Sequence, residues 1–563
     1  MALFALLGIL CIVAVNTIAS RLKLSAPLLL VAVGLLLSLQ PLFDIPEIVV
    51  EPEVILAGVL PLLLFAAAVS MPAANFRRDL RAISGLSVLL VVFSSLTLGA
   101  LFASMLPELG FAGGVAVGAV LSPTDAVATN IVKKLGVAPR VVAMLDGESM
   151  LNDASALVLL RSSVAAMATT VTVGGIAGKF LLSVAIATAI GLVVGFAMLR
   201  ISRLVHQPTV STLLSFTVPF IAYLPTEHFG ASGLVATVTA GLVAGHNGPK
   251  FLPPVFRRSQ EVNWRTVEMV LEGALFLLMG LEIYPLMQAV RASGVPLSVA
   301  FTLAAAGLGV TLAVRAVYAV PLLWGVHLRH HKYEAARGRI DEFHRRIAEE
   351  PSEKKRAYGE TRIRRAIADA DYQAARPLGP REGVLLVWAG MRGAITLAAA
   401  QTLPHDFPHR SLVVLVAFLV ASASLLIQGT TLPWVIRRLA FQPPDAAGEE
   451  KERVALAAEV EQAARRVLDD PTLRTAAGTP YDQVVLDRLR RRVASSIRED
   501  EESERFEGMG HLLDKIFEAQ RAQILAARAD GIYSSEALEA ALESVDSLQL
   551  GMQLASGRRG EAP

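Results

Sequence analysis

Apolar residues fall in runs of about 20, separated by short polar connectors, with no strict alternation of apolar and polar positions. A helix of that length rises about 30 Å, the thickness of a bilayer's hydrocarbon core. The pattern therefore predicts an all-α membrane protein rather than a barrel. Windows of that width place spans near 2–20, 26–40, 53–71, 83–106, 110–132, 143–169, 174–199, 209–226, 231–246, 266–285, 296–326, 383–403 and 411–437, about 13 in all. Two segments break the rhythm: 327–382 and 443–563 are crowded with Arg, Lys, Asp and Glu. The expected organisation is a transmembrane domain over 1–440, holding a helical loop at 327–382, and a cytoplasmic helical regulatory domain over 443–563. Apolar residues at helical spacing support the latter: Val454, Leu456, Ala457 and Val460, then Val484, Leu486, Leu489 and Val493. A last helical stretch is expected from Phe517 to Leu550.

Charge gives these spans a direction. The formal net charge is only +2, but its basic residues are segregated. With the first helix entering from outside, Arg21 and Lys23, Arg77, Arg78 and Arg81, Lys133, Lys134 and Arg140, Arg200 and Arg203, Lys250, Arg257 and Arg258, the 327–382 loop, and Arg437 and Arg438 all fall on one side. The opposite loops hold little beyond Arg291 and Arg410. The positive-inside rule then puts the N-terminus outside and the C-terminus in the cytoplasm of a multi-pass plasma-membrane protein. Met1 to Ala19 has no basic residue ahead of its apolar run, so it reads as a first span rather than a cleaved leader. The single Cys11 excludes an internal disulfide and any cysteine-based metal centre.

Two spans are interrupted. The fifth carries Leu121-Ser122-Pro123-Thr124-Asp125, where the proline removes a donor and disfavours helical geometry at Ser122. The twelfth carries Trp388-Ala389-Gly390-Met391-Arg392-Gly393, in which the glycines favour unwinding and Arg392 brings a buried charge. Threaded as above, these spans cross in opposite directions, the pointer to an inverted-repeat transporter whose broken helices meet near the midplane. Freed carbonyls there can ligate a cation, and Asp125 and Arg392 can offset opposing helix-dipole ends.

The sixth span holds the most informative stretch, Gly147-Glu148-Ser149-Met150-Leu151-Asn152-Asp153, followed by an apolar run. A carboxylate at membrane depth costs about 2.5–3.5 kcal/mol on insertion scales, so it is expected to face a wet cavity, a cation or a proton relay. Ser149, Asn152 and Asp153 share one helix face. Asp153 is the candidate carboxylate for a cation or a proton; the alternative is an ion pair joining two helices. Asp125 is either a second oxygen source or a cap on the half-helix after Pro123. Glu148 needs a cationic partner, and Arg315, an unescorted charge in the eleventh span, is the candidate, forming a structural clamp. Arg161 reads as a residue reaching for the interface, and Tyr223, Glu227 and His228 as anchors near an outer helix end. Glu268 and Glu272 share a face of the tenth span and suit either a cavity wall or the cytoplasmic rim. The histidines, such as His330 and His331, read as solvated loop residues.

Together these stretches resemble the monovalent cation:proton antiporter family, in its Na⁺/H⁺ exchanger branch. The motifs are Ser122-Pro123-Thr124-Asp125-Ala126-Val127-Ala128, Gly147 to Asp153, the Arg315 span, Leu277-Leu278-Met279-Gly280-Leu281-Glu282 and Met391-Arg392-Gly393-Ala394, in family order across about 1–440. The resemblance implies a homodimer of 13-helix protomers, each with a dimerisation domain and a six-helix core that moves like an elevator. It implies that Asp153, Asp125, Ser149 and backbone near Thr124 hold Na⁺ or K⁺, and that Glu148 and Arg315 form the family's ion pair. Asn152 stands where electrogenic relatives have a second aspartate, which implies electroneutral exchange of one cation for one proton. There is one departure: many members carry a glutamate after Leu-Leu-Phe in the third span, where this chain has Ala66. The partners implied are Na⁺, K⁺ or Li⁺, protons and the lipid membrane, with no nucleic acid and no resident cofactor. A passive cation channel would need a continuous filter, and an intramembrane enzyme would need a nucleophile–base or metal pairing. The sequence offers neither, although Asp125 and Asp153 could mimic an aspartyl dyad. A K⁺-selective efflux antiporter is a further alternative.

Overall fold

The computed structural model describes residues 2–22, 25–39, 51, 53–71, 73–168, 173–348 and 378–441, with scattered residues between 352 and 359 and between 458 and 490. Met1–Phe441 and Gln442–Pro563 form two compact units. In the first, every described element is helical. Helices α1 (Ala2–Leu22) and α2 (Ala26–Ser38) come first. A widened, π-type turn over Val54–Val59 leads into α3 (Leu60–Ser70), where Pro61 in the first turn supplies no backbone donor. Next come α4 (Ala73–Ser84), a second π-type turn over Gly85–Leu89, and α5 (Leu90–Met105), which follow one another as one unbroken helical rod. Then come α6 (Gly110–Leu121), α7 (Val127–Lys134), α8 (Pro139–Ala168), α9 (Val173–Ser202), α10 (Pro208–His228), α11 (Gly233–Phe251), α12 (Pro254–Ala292) and α13 (Leu297–Ala348). The unit closes with α14 (Pro380–Trp388), α15 (Ala394–Gln401) and α16 (Arg410–Leu439).

Among the described residues, six helices are long and apolar enough to cross a membrane by length and composition: Arg78–Met105, Phe180–Ser202, Pro208–His228, Val255–Ala292, Leu297–Gly325 and Arg410–Leu439. Four shorter apolar helices accompany them. The apolar outside of the bundle says what surrounds it: Val317 is 73% exposed and Val193 69%, as lipid-facing residues are and soluble ones rarely are in such numbers. By contrast 78% of the apolar window of α16 is buried, against 17% for α9, so α16 runs through the middle and α9 along the periphery.

Two helix ends run well past the hydropathy windows. The fourth span, expected from 83, begins as helix at Ala73, and the eleventh, expected to end near 326, continues helically to Ala348. Hydropathy reports where apolar residues stop, whereas a helix continues through charged residues that favour it. The early start also places Asp79 (4% exposed) against Arg140 of α8, which donates to it through Nε and Nη2 at 3.1 and 2.9 Å. This buried pair ties α4 to α8.

Elsewhere the contact is backbone on backbone. At the α2–α12 crossing, a Cβ on Gly34 would strike the carbonyl oxygen of Leu277, and one on Gly280 that of Val31. Small residues that let helices touch in this way are how apolar helices associate where no hydrophobic force drives them together.

In the second unit, Arg490 donates to Asp487 on its own helical turn (2.9 Å) and to Asp469 (3.1 Å) and the Leu468 carbonyl (3.0 Å), joining two segments about 20 residues apart in the chain. Leu486 is buried there while Val484 is exposed. The expected helices around 454–460 and from Phe517 to Leu550 lie outside the described residues.

Candidate functional site

Both predicted breaks are present, and they touch. The first runs from Ser122 to Ala126 between α6 and α7; the second runs from Ala389 to Gly393 between α14 and α15. The Asp125 amide donates to the Met391 carbonyl at 2.8 Å, so unwound backbone of one break pairs with that of the other. Each break sends a charged side chain to the helix ends created by both. Asp125 Oδ1 accepts from the amide of Val127, the first residue of α7, at 3.0 Å, and its Oδ2 from the amide of Ala394, the first residue of α15, at 3.3 Å. A single carboxylate thus sits at two positive helix N-termini. Arg392 does the reverse, donating from Nε to the carbonyl of Leu121, the last residue of α6 (3.0 Å), and from Nη1 to Gly390 (2.5 Å), just beyond α14.

The glycines of the second break are explained by what lies over them. A Cβ on Gly393 would collide with the Asp125 carboxylate, and one on Gly390 with the Arg315 guanidinium. Helix α16 completes the clamp. Ser424 Oγ accepts from the Arg392 amide at 3.0 Å, and Gln428 Nε2 donates to the Trp388 carbonyl, the last of α14, at 3.0 Å. Replacing Gln428 by Leu removes that donor from a buried helix end. Stability should fall by about 1–3 kcal/mol, read as a lower melting temperature of the detergent-purified protein.

Arg315 and Glu148 meet as the sequence reading expected. Glu148 is 1% exposed and Arg315 2%, and the guanidinium engages both carboxylate oxygens, with Nη2 to Oε2 at 2.7 Å. Its Nε donates to the Leu386 carbonyl of α14 at 2.7 Å. The pair continues into a chain: Thr124 Oγ1 donates to Glu148 Oε1 at 3.3 Å and accepts from Asn152 Nδ2 at 2.5 Å. The threonine hydroxyl and the asparagine Nδ2 are therefore engaged with the ion pair, while the buried Asn152 Oδ1 has no hydrogen-bond partner. Ser149 Oγ donates to the Asp146 carbonyl at 3.0 Å, as a helical serine commonly does, which keeps its lone pairs free.

Asp153 is left. It is 2% exposed, and its Oδ1 has no hydrogen-bond partner. It lines a cavity with room of about 100 Å³ for water-sized occupants, bordered also by Thr124, Asp125, Ser149 and Glu272. Exposed Asn130 of α7 borders the same cavity. All five expected ion-site residues lie around this point: Asp153, Asp125, Thr124 and Ser149 line the cavity, and Asn152 stands behind it, bonded to Thr124. A buried carboxylate oxygen with no donor, facing a water-sized space beside unwound backbone, can hold a small cation or a proton.

Other residues depart from the sequence expectation or extend it. Arg161 does not reach for the interface alone: its Nη1 donates to Glu227 Oε2 at 2.7 Å, and Glu227 Oε1 accepts from the Gly233 amide at the start of α11 at 3.0 Å. Tyr223, expected as an interface anchor, is 5% exposed. Ala66 packs into an apolar cluster with Phe65 and Trp264, away from the cavity. Of the two open readings for Glu268 and Glu272, the structure gives the cavity wall. Sequence reasoning missed Ser424, Gln428 and Thr396. The available signal was polar residues inside otherwise apolar helices.

The model of the family described as sodium/hydrogen exchanger, transmembrane, matches residues 4–438. The chain is 28% identical to the uncharacterized Na(+)/H(+) exchanger YjcE of Escherichia coli, covering 97% of this chain and 98% of that one. It is 29% identical to the Na(+)/H(+) antiporter NhaH of Halobacillus aidingensis, over 76% of this chain and 95% of that one. Among solved structures, the sodium proton antiporter MjNhaP1 of Methanocaldococcus jannaschii shares the fold, with a TM-score of 0.54, 15% identity, and coverage of 78% of this chain and 98% of that one. The chain belongs to the sodium/hydrogen exchanger family of transmembrane transporters.

Proposed function

We propose that this protein exchanges one Na⁺ or K⁺ for one proton across the plasma membrane, with cation and proton competing for Asp153. The observation that carries this reading is the Asp153 carboxylate, 2% exposed with one oxygen unpartnered, beside the contact of two broken helices. Ionised, such a group needs a counter-cation; neutral, it needs a proton. An empty, charged carrier is the costly state, so the two loaded forms are the ones that move. Asn152 contributes an amide rather than a second charge, so one carboxylate carries one cation or one proton and the cycle moves no net charge. Asp125, Ser149 and backbone near Thr124 are the further oxygens, while Glu148 and Arg315 hold the site's frame.

The wider reading follows the family's architecture. Thirteen spans, a homodimer, and elevator-like movement of the broken-helix core past the remaining helices belong to it, and the segregated basic residues put the N-terminus outside. The charged unit after residue 442 serves as a cytoplasmic regulatory domain. The exchanged ions are substrates, and no resident cofactor takes part.

The test is transport by the purified full chain in proteoliposomes. An imposed Na⁺ gradient should move protons at the same rate whether the membrane potential is clamped at zero or left free. A rate that follows the potential would defeat one-for-one exchange. Repeating the measurement with Li⁺, Na⁺ and K⁺ at equal gradients ranks the substrates.

A further inference from the structure

The cavity has more oxygen chemistry than the Asp153 reading uses. Helix α12 supplies two carboxylates at positions i and i+4, Glu268 and Glu272, and both line the cavity wall. Glu272 is half-buried within a span and makes no hydrogen bond or ion pair among the described residues. Three other acids nearby are already committed. Asp125 has both oxygens on amides, Asp146 is paired with Lys133 at 3.0 Å, and Glu148 is paired with Arg315. From α15 comes a second, independent feature. Thr396 is fully buried, its Oγ1 has no hydrogen-bond partner, and it borders the same cavity. A buried hydroxyl without a partner costs about 1–3 kcal/mol unless something in the cavity completes it. A carboxylate and a hydroxyl are both hard oxygen donors, the set that suits a small hard cation rather than a softer metal.

We propose that Glu272 is a second cation-binding carboxylate of this cavity, with the Thr396 hydroxyl as a neutral ligand beside it. The proposal rests on the antiport reading and deepens it by adding ligands from outside the helix that carries Asp153. Glu272 belongs to α12, which is packed backbone to backbone against α2 at Gly34 and Gly280. Asp153 belongs to α8, bonded through Thr124 to the broken helices. A cation in the cavity would thus meet the α12 carboxylate as well as the α8 one. Glu272 strengthens that occupancy, and because it stays with α12 it leaves the one-for-one stoichiometry unchanged.

The experiment compares Glu272→Gln and Glu272→Asp in the full-length protein. Cation binding is read as the rise in melting temperature with added Na⁺, and then with K⁺, and transport is read as the KM for the cation in proteoliposomes. Removing a unit charge several ångströms from a bound cation in a partly wet site weakens it by about tenfold or more. Glu272→Gln should therefore shift both the melting response and the KM about tenfold to higher cation concentration. Exchange should persist at saturating cation, and Glu272→Asp should recover part of the loss. Thr396→Val should shift both curves in the same direction by less, with Thr396→Ser close to the parent. Unchanged melting response and KM in Glu272→Gln would overturn the proposal, as would a loss that saturating cation does not restore in a variant that melts normally. Asp153→Asn, run alongside, separates the two ideas. Exchange surviving there sinks the antiport reading itself, whatever Glu272 does.

Discussion

Arg315→Ala loses about 3–5 kcal/mol of stability, the cost of leaving a buried charge without its partner. The size follows from what the guanidinium does. It holds both oxygens of Glu148, at 1% exposure, and the Leu386 carbonyl near the end of α14. Without it the carboxylate keeps only the Thr124 hydroxyl at 3.3 Å, and a helix carbonyl loses a donor. Gly390, which lies against the guanidinium, would also border an empty space. Most of the loss is therefore the exposed penalty of Glu148 rather than a lost attraction. Adding Glu148→Gln to Arg315→Ala should accordingly recover part of the stability, because a neutral amide is far cheaper to bury. Melting of the purified protein in detergent measures both variants. An Arg315→Ala protein that melts with the parent would remove the clamp from the account.

That pair was readable from the sequence because Arg315 was an unescorted charge in an apolar run and Glu148, a carboxylate in another span, needed a cationic partner. Asp79 and Arg140 form an equally buried pair and were not readable. Both sit among other charges at span ends, where the pattern gives solvent and burial the same appearance. The two breaks were legible through Pro123 and through Gly390 and Gly393, but the reason for the glycines was not. Their constraint comes from the Arg315 and Asp125 side chains resting on them, a tertiary contact that no local spacing encodes. The partners of Ser424 and Gln428 were hidden for the same reason. On a sequence the two residues are tolerated polar residues of α16, and only the fold brings them to the orphan backbone groups of α14 and Arg392. Asp125 shows what a sequence leaves open. Both of its suggested roles were consistent with its position after Pro123, and the fold adds a second helix start, that of α15, to the one it was expected to cap.

Asp153→Asn abolishes exchange, to the level of protein-free vesicles, while the protein remains folded. Asparagine keeps the size and one carbonyl oxygen of the original, so the cavity beside Thr124 and Ser149 keeps its shape. What it cannot do is ionise, and a neutral amide has neither the charge to hold a cation nor a proton to give up in the accessible range. No neighbour can take over the exchange: Glu148 is committed to Arg315, both oxygens of Asp125 are held by the amides of Val127 and Ala394, and Glu272 adds cation affinity from α12 without entering the one-for-one exchange. Two further readouts follow from the same competition. In the parent, Na⁺ at 100 times its dissociation constant should stabilise the folded state by about 2.7 kcal/mol, and most of this increment should be lost in Asp153→Asn. Where the site is mostly protonated, each unit of falling pH should raise the apparent dissociation constant for the cation by up to about tenfold, since one proton must leave for each cation bound. The sign is fixed: acid weakens cation binding and alkali strengthens it. A pH-independent cation response, or a variant that still exchanges, would mean that the carboxylate beside the crossed helices is not where cation and proton meet.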